Sequence, residues 1–180
     1  MSDRRDTGKA FEGEFARKVD EIVAKYPYPR AAIMPILHLA QERDGYVTLD
    51  AEEWIAERLE LSPSFVHGVV TFYTMYRTSE CGANLLQLCT TVSCMLRGCD
   101  RLLLHLKNKL DIDVGETTQD GKFTLVTVEC LGSCGTAPMM QINDDYYEDL
   151  DLERTDAILD AVARGERPPS GPGPRRVLID

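Results

Sequence analysis

At 180 residues the chain is long enough for one ordinary domain and a smaller second one, so size alone demands no disulfide staple. Thirty acidic against twenty basic residues give a formal charge of -10, which repels phosphate backbones and argues against a nucleic-acid partner. No run without a charged residue is longer than 61–76, which contains Ser, Pro, His, Gly and Thr and falls short of the roughly 20 apolar residues of a membrane-spanning helix.

The first twenty residues mix Asp and Glu with Arg and Lys and hold no apolar run, which predicts neither a secretory signal nor a transit peptide. The six cysteines are then expected in a reducing compartment, where clustered thiols bind metals or do redox chemistry more often than they form disulfides. Residues 1–80 read as helical. Phe11, Phe15, Val19, Ile22 and Val23 recur at helical spacing on one face, with Pro27 and Pro29 closing the element. A second helix is predicted from about Ala31 to Arg43, with Pro35 in its first turn and Gly45 as its stop. Asp50 and Glu53 suggest a capping box for a third, containing Trp54. Ser62 and Pro63 supply the N-cap and first position of a fourth, ending near Tyr76.

The two helices meeting near Ser62 invite a helix-turn-helix reading. A recognition helix needs cations, yet no Lys or Arg lies between Arg58 and Arg77. Phe65, Val66, Val69, Val70, Phe72, Tyr73 and Tyr76 exceed what one face buries, so a packed core with a partner-facing remainder is expected.

From Asn84 the pattern alternates strand and helix. Leu85–Leu88 is a short strand ending at Cys89, a helix is predicted from about Met95 to Leu110, and Phe123–Val128 is a β-branched, apolar strand entered at Asp120-Gly121. Met139–Ile142 and Tyr146–Tyr147 form a hairpin, and a last helix runs from Leu152 to Ala163. The fold class is therefore α+β, with a helical domain at 1–80, an α/β domain with a mixed sheet at 81–165, and a Pro/Gly-rich extended tail at 166–180.

Cys89 and Cys94 form C-x4-C at a strand-to-helix junction, and Cys130 and Cys134 form C-x3-C just beyond the second strong strand. If those strands are neighbours, the thiols converge at one sheet edge, and four thiolates are the ligand set of a [2Fe-2S] cluster. Small residues, among them Thr90, Thr91, Ser93, Gly132, Ser133 and Gly135, let backbone N–H groups approach sulfur. The start of the Met95 helix adds a partial positive charge. Zinc accepts the same ligands but favours C-x2-C knuckles, and a thioredoxin-type dithiol needs C-x-x-C, a spacing found nowhere in the chain. Cys94 and Cys99 form a second C-x4-C, with Cys99 read as a packing residue and Cys81 as incidental. His38, His67 and His105 lack ligand-spaced neighbours, and the acidic stretch 144–156 reads as a solvated face or a docking surface for a basic patch. No G-x-G-x-x-G or P-loop is present, so no nucleotide site and no catalytic residue are expected.

The run Cys-Thr-Thr-Val-Ser-Cys from Cys89 and Glu-Cys-Leu-Gly-Ser-Cys-Gly-Thr-Ala-Pro ending at Pro138 resemble the family of thioredoxin-like ferredoxin subunits of respiratory NADH:quinone oxidoreductase (complex I), the NADH dehydrogenase of respiratory chains. Arg30-Ala-Ala-Ile-Met-Pro-Ile-Leu and Val70-Thr-Phe-Tyr resemble the helical part of the same family. The resemblance covers roughly 26–144. It implies a small helical bundle, then a thioredoxin-like domain with a mixed four-stranded sheet and a [2Fe-2S] cluster on Cys89, Cys94, Cys130 and Cys134. It also implies a flavoprotein partner that binds FMN and NADH and has its own iron-sulfur cluster, with further subunits of a peripheral arm. The implied location is cytoplasmic, at the inner membrane through those partners and without direct insertion. Soluble NAD-dependent formate dehydrogenases and NAD-reducing hydrogenases use equivalent subunits, and a zinc-stabilised interaction module is the reading from another class.

Overall fold

The computed structural model describes residues 11–173. The predictions made for the first ten residues and for the tail from Pro174 onward lie outside them. The chain divides into two compact units, Met1–Glu80 and Cys81–Asp180.

The first unit holds α1 (Glu14–Val23), a 3-10 turn at Pro29–Ala32, α2 (Ile33–Asp44), α3 (Leu49–Arg58) and α4 (Pro63–Phe72). Phe15 and Val19 of α1 are buried with Ile36, Leu37, Ala40, Ile55, Val66 and Val70 in one apolar cluster, which Phe11 joins by stacking on Trp54 at 5.6 Å. Pro35 sits in the first turn of α2, where its missing N–H costs no helical bond, and Gly45 ends the helix at φ 82°. The Ser62 hydroxyl accepts from Phe65 N–H at 3.2 Å, as its sequence position predicts.

Two details differ from the sequence reading. The cap of α3 is Thr48, extended in its backbone, whose hydroxyl accepts from the Ala51 N–H at 3.1 Å, so Asp50 lies inside the first turn. Helix α4 stops at Phe72, because Tyr73 turns extended. Tyr76 then folds back into the core, 5% exposed, and donates its hydroxyl to the Met34 carbonyl, whereas Phe72 remains 76% exposed. The apolar surplus at the end of α4 is thus Phe72, Tyr73 and Met75, without Tyr76.

The second unit is an α+β layer built on β1 (Asn84–Cys89), β2 (Phe123–Val128), β3 (Met140–Ile142) and β4 (Asp145–Tyr147), in the order β2-β1-β3-β4. β1 pairs parallel with β2 and antiparallel with β3, giving the mixed sheet. Its apolar side chains Leu86, Leu88, Leu125, Met140 and Ile142 bury against Leu102 and Leu106 of α6 (Cys99–Leu110) and Ile158 and Leu159 of α7 (Leu152–Ala163). Both outer edges are occupied. Residues 115–118 hydrogen-bond along β2, and Gly171 bridges in parallel to Tyr147 of β4.

The helix predicted from Met95 to Leu110 is two helices, α5 (Val92–Leu96) and α6, broken at Gly98 with φ 91°. That left-handed backbone suits glycine and redirects the chain, so Cys94 lies within α5 instead of ahead of a long helix. A five-residue helix has little dipole to offer, which removes the charge contribution expected from its start.

His105 of α6 meets Asp156 of α7 at 2.7 Å, and Lys109 reaches both Asp156 and Asp160. Partial burial raises the Asp156 carboxyl, but the bonds from His105 and Lys109 outweigh it and hold the group below the usual carboxylate range. A depressed native pKa stabilises above the unfolded value, and that contribution is lost as pH falls through the native one. Asp156→Asn is therefore expected to cost about 0.5–1 kcal/mol at neutral pH, kept small by solvent screening, in urea melts. The deficit should vanish in acid as the native carboxylate protonates.

Candidate iron-sulfur site

Parallel pairing places Cys89 opposite Val128, so β1 and β2 end at the same sheet edge and Cys130 follows two residues beyond. The Thr90 N–H continues the ladder to the Val128 carbonyl at 3.3 Å, which holds the two loops side by side. Cys89 closes β1 and Cys94 lies in α5, both 2% exposed. Cys130 and Cys134 lie outside them on the exposed rim, Cys134 opening a 3-10 turn that runs to Thr136.

The thiols fall into two pairs. Cys130 and Cys134 sulfurs are 3.4 Å apart, near the about 3.8 Å expected for two thiolates on one tetrahedral ion with bonds of about 2.3 Å. Cys89 and Cys94 form the inner pair, buried in one cluster and acting on each other's titration. The loops also face each other: the Thr91 hydroxyl contacts Cys89 at 3.3 Å, its polarity also lowers the Cys130 thiol, and Ser93 acts in the same sense on Cys134. In the other direction the Leu131 N–H serves Cys89 and the Met139 N–H serves Cys94.

These bonds split each pair electrostatically. Burial raises the Cys89 thiol, yet the Thr91, Cys94 and Leu131 donors together bring it below its ordinary value. Burial and the neighbouring Cys89 push Cys94 up to about 11. On the rim the Gly132 N–H, 3.4 Å from the sulfur, lowers Cys130, and Cys134 is raised by the Cys130 sulfur beside it. Within each pair one thiol is therefore shifted down and its neighbour up. A [2Fe-2S] cluster takes thiolates two per iron, so two adjacent pairs match its donor demand. Among the described residues no three His, Cys, Asp or Glu side chains are grouped to hold a single metal ion.

Cys99 is fully buried with Cys89, Cys94, Ala137 and Met139, in the packing position its spacing suggests. The three histidines are engaged elsewhere, His67 with Glu52, His105 with Asp156 and His38 against the Tyr76 ring. Sequence reasoning missed three residues that hold the loops. Tyr146 donates to the Leu131 carbonyl at 3.0 Å, Glu148 accepts from the Thr136 hydroxyl at 2.9 Å, and Arg97 Nε donates to the Ala137 carbonyl at 3.3 Å. No local pattern announces them, because each partner lies between 12 and 40 residues away.

The model of the thioredoxin-like [2Fe-2S] ferredoxin family matches residues 19–163. The chain belongs to that family. This thioredoxin-like ferredoxin is 44% identical over 169 residues to the mitochondrial NADH dehydrogenase [ubiquinone] flavoprotein 2 of Dictyostelium discoideum, covering 92% of the chain and 68% of the relative. It is 46% identical over 150 residues to a NADH-quinone oxidoreductase subunit of Rhizobium meliloti, covering 83% and 89%. Among solved structures, NAD+-reducing [NiFe]-hydrogenase in its air-oxidized state aligns at a TM-score of 0.63 and 22% identity, over 74% of this ferredoxin and 23% of that chain. That likeness is one of fold.

Proposed function

We propose that Cys89, Cys94, Cys130 and Cys134 hold one [2Fe-2S] cluster, the inner pair on one iron and the rim pair on the other. The reading further makes the chain an electron-transfer subunit of the NADH-oxidising module of NADH:quinone oxidoreductase. The observation that carries it is the convergence of two thiol pairs at one sheet edge, where β1 and β2 end side by side and the Thr90 N–H ties their loops together. The relatives' names, a NADH-quinone oxidoreductase subunit and NADH dehydrogenase flavoprotein 2, support the parent complex. A bound [2Fe-2S] cluster accepts and donates one electron at a time.

The chain's own groups do the remaining work. Four thiolates fix the position, and the Thr91, Ser93, Gly132, Leu131 and Met139 donors stabilise negative charge on sulfur, which favours the reduced state. Burial of Cys89 and Cys94 shields one side from water, while the exposed Cys130 and Cys134 leave the other open to a partner. Val92, Met95 and Leu96 of α5 are 50% or more exposed beside that rim and suit the same contact. The partner in this reading binds FMN and NADH, since hydride delivers two electrons and flavin converts them to single ones. Among the described residues no helix is long and apolar enough to cross a membrane, and attachment at the membrane is assigned to the partner subunits.

Anaerobic purification tests the reading. The chain is expected to be red-brown, to carry iron and labile sulfide in equal amounts, and to gain an EPR signal on one-electron reduction, with no NADH oxidation by itself. A colourless zinc protein would sink the cluster, and NADH-driven reduction of a dye by the chain alone would sink the division of labour. Co-purification with hydrogenase or formate dehydrogenase subunits would reassign the parent enzyme.

A further inference from the structure

Residues 146–150 are gripped from two sides. On one, four bonds run to the loop bearing Cys130 and Cys134: Tyr146 hydroxyl to Leu131 carbonyl, Thr136 hydroxyl to Glu148 carboxylate, Asp149 N–H to Thr136 carbonyl at 2.7 Å, and Leu150 N–H to Pro138 carbonyl at 3.0 Å. Ser133, next to Cys134, joins them through the Thr136 hydroxyl at 2.8 Å. On the other side lies the C-terminal segment. The Gly171 N–H donates to the Tyr146 carbonyl at 2.6 Å, and the Glu148 N–H donates to the Gly171 carbonyl at 3.2 Å. Arg154 also donates to that carbonyl at 2.9 Å, the Tyr147 hydroxyl donates to the Pro168 carbonyl, and Arg167 pairs in two-fork fashion with Asp145. The alternation of a strand explains the arrangement, since Tyr146 and Glu148 project to one face and Tyr147 to the other.

We propose that residues 167–171 form a clasp that holds Tyr146 and Glu148 as positioning residues for the rim thiols Cys130 and Cys134, so that the tail governs how tightly the cluster is retained. This inference rests on the proposed cluster site. Cys130 and Cys134 are exposed and sit in a loop with no strand of its own, so their spacing depends on these outside bonds. Partners of this kind, one step behind the ligands, typically alter metal retention about 10- to 100-fold when removed. Gly171 has φ 94°, so its bridge to Tyr147 is also sensitive to any side chain at that position.

The test compares the full chain, a chain ending at Gly173, a chain ending at Gly165, and the full-length variants Tyr146→Phe, Glu148→Ala and Glu148→Gln, each loaded with iron and sulfide. The readouts are the rate of bleaching by an iron chelator and the EPR line shape after reduction, with circular dichroism reporting the fold. The Gly165 chain, Tyr146→Phe and Glu148→Ala should bleach about tenfold faster with a shifted EPR signal. The chain ending at Gly173 and Glu148→Gln, which keep the clasp and the acceptor, should match the full chain. Equal bleaching rates and spectra throughout overturn the clasp and leave the cluster site standing. A full chain that takes up no iron overturns the cluster site, and the clasp's function with it.

Discussion

Alanine at Cys130 or Cys134 is expected to yield a colourless chain with almost no bound iron, and Cys89→Ala or Cys94→Ala the same. Each iron in the proposed site has two protein thiolates, and the rim pair lies 3.4 Å apart. Removing one sulfur leaves half of one iron's protein attachment, and thiolate binding is what makes the site hold metal at all. Iron and sulfide analysis after anaerobic purification reads the result. Cys81→Ser and Cys99→Ser are the controls and should keep the visible spectrum, since Cys99 packs against Ala137 and Met139 instead of completing either pair. Loss of iron in Cys99→Ser together with its retention in Cys89→Ser would mean that the second C-x4-C is the ligand pair.

The largest stability effect is expected one residue before Cys89, the first of the proposed ligands. Leu88 is fully buried in β1, the strand between β2 and β3, and lies opposite Thr127 on one side and Met140 on the other. Leu88→Ala opens a cavity that two hydrogen-bonded neighbours cannot collapse, so it should cost about 2–5 kcal/mol in denaturant unfolding. Leu104→Ala on α6, at a residue 61% exposed, should change stability by less than about 0.5 kcal/mol. Similar costs at the two positions would contradict the burial pattern. Because the Cys89 N–H bonds to the Met139 carbonyl on the same strand pair, the Leu88 variant should also load iron poorly at temperatures where it still folds.

How much of this could be read from the sequence depends on how local each cause is. The strand Phe123–Val128 has the predicted ends because β-branching and the Asp120-Gly121 turn are local signals, and the Ser62-Pro63 start of α4 and the Gly45 stop of α2 follow the same logic. Gly98 was legible in principle, yet a glycine inside a helical pattern is usually tolerated, and only its positive φ shows that it breaks the run. The two cysteine motifs stand out by spacing, but their meeting depends on β1 and β2 being parallel neighbours, which no single segment encodes. Least legible were Tyr146 and Glu148. One looked like a hairpin residue and the other like part of a solvated acidic face, and their partners are set only when the hairpin folds against the Leu131–Thr136 loop.

The covered flanks of the sheet matter before any partner is present. A four-stranded sheet with a bare outer strand offers its unpaired N–H and C=O groups to a strand of another molecule, and edge-to-edge stacking of this kind begins aggregation. Here residues 115–118 line one flank and Gly171 the other, followed by Pro172, which has no N–H to donate. β4 is itself only three residues long, a poor template for a foreign strand. Shortening the C-terminus before Gly171 would therefore uncover the β4 edge, and the shortened chain is expected to associate through it.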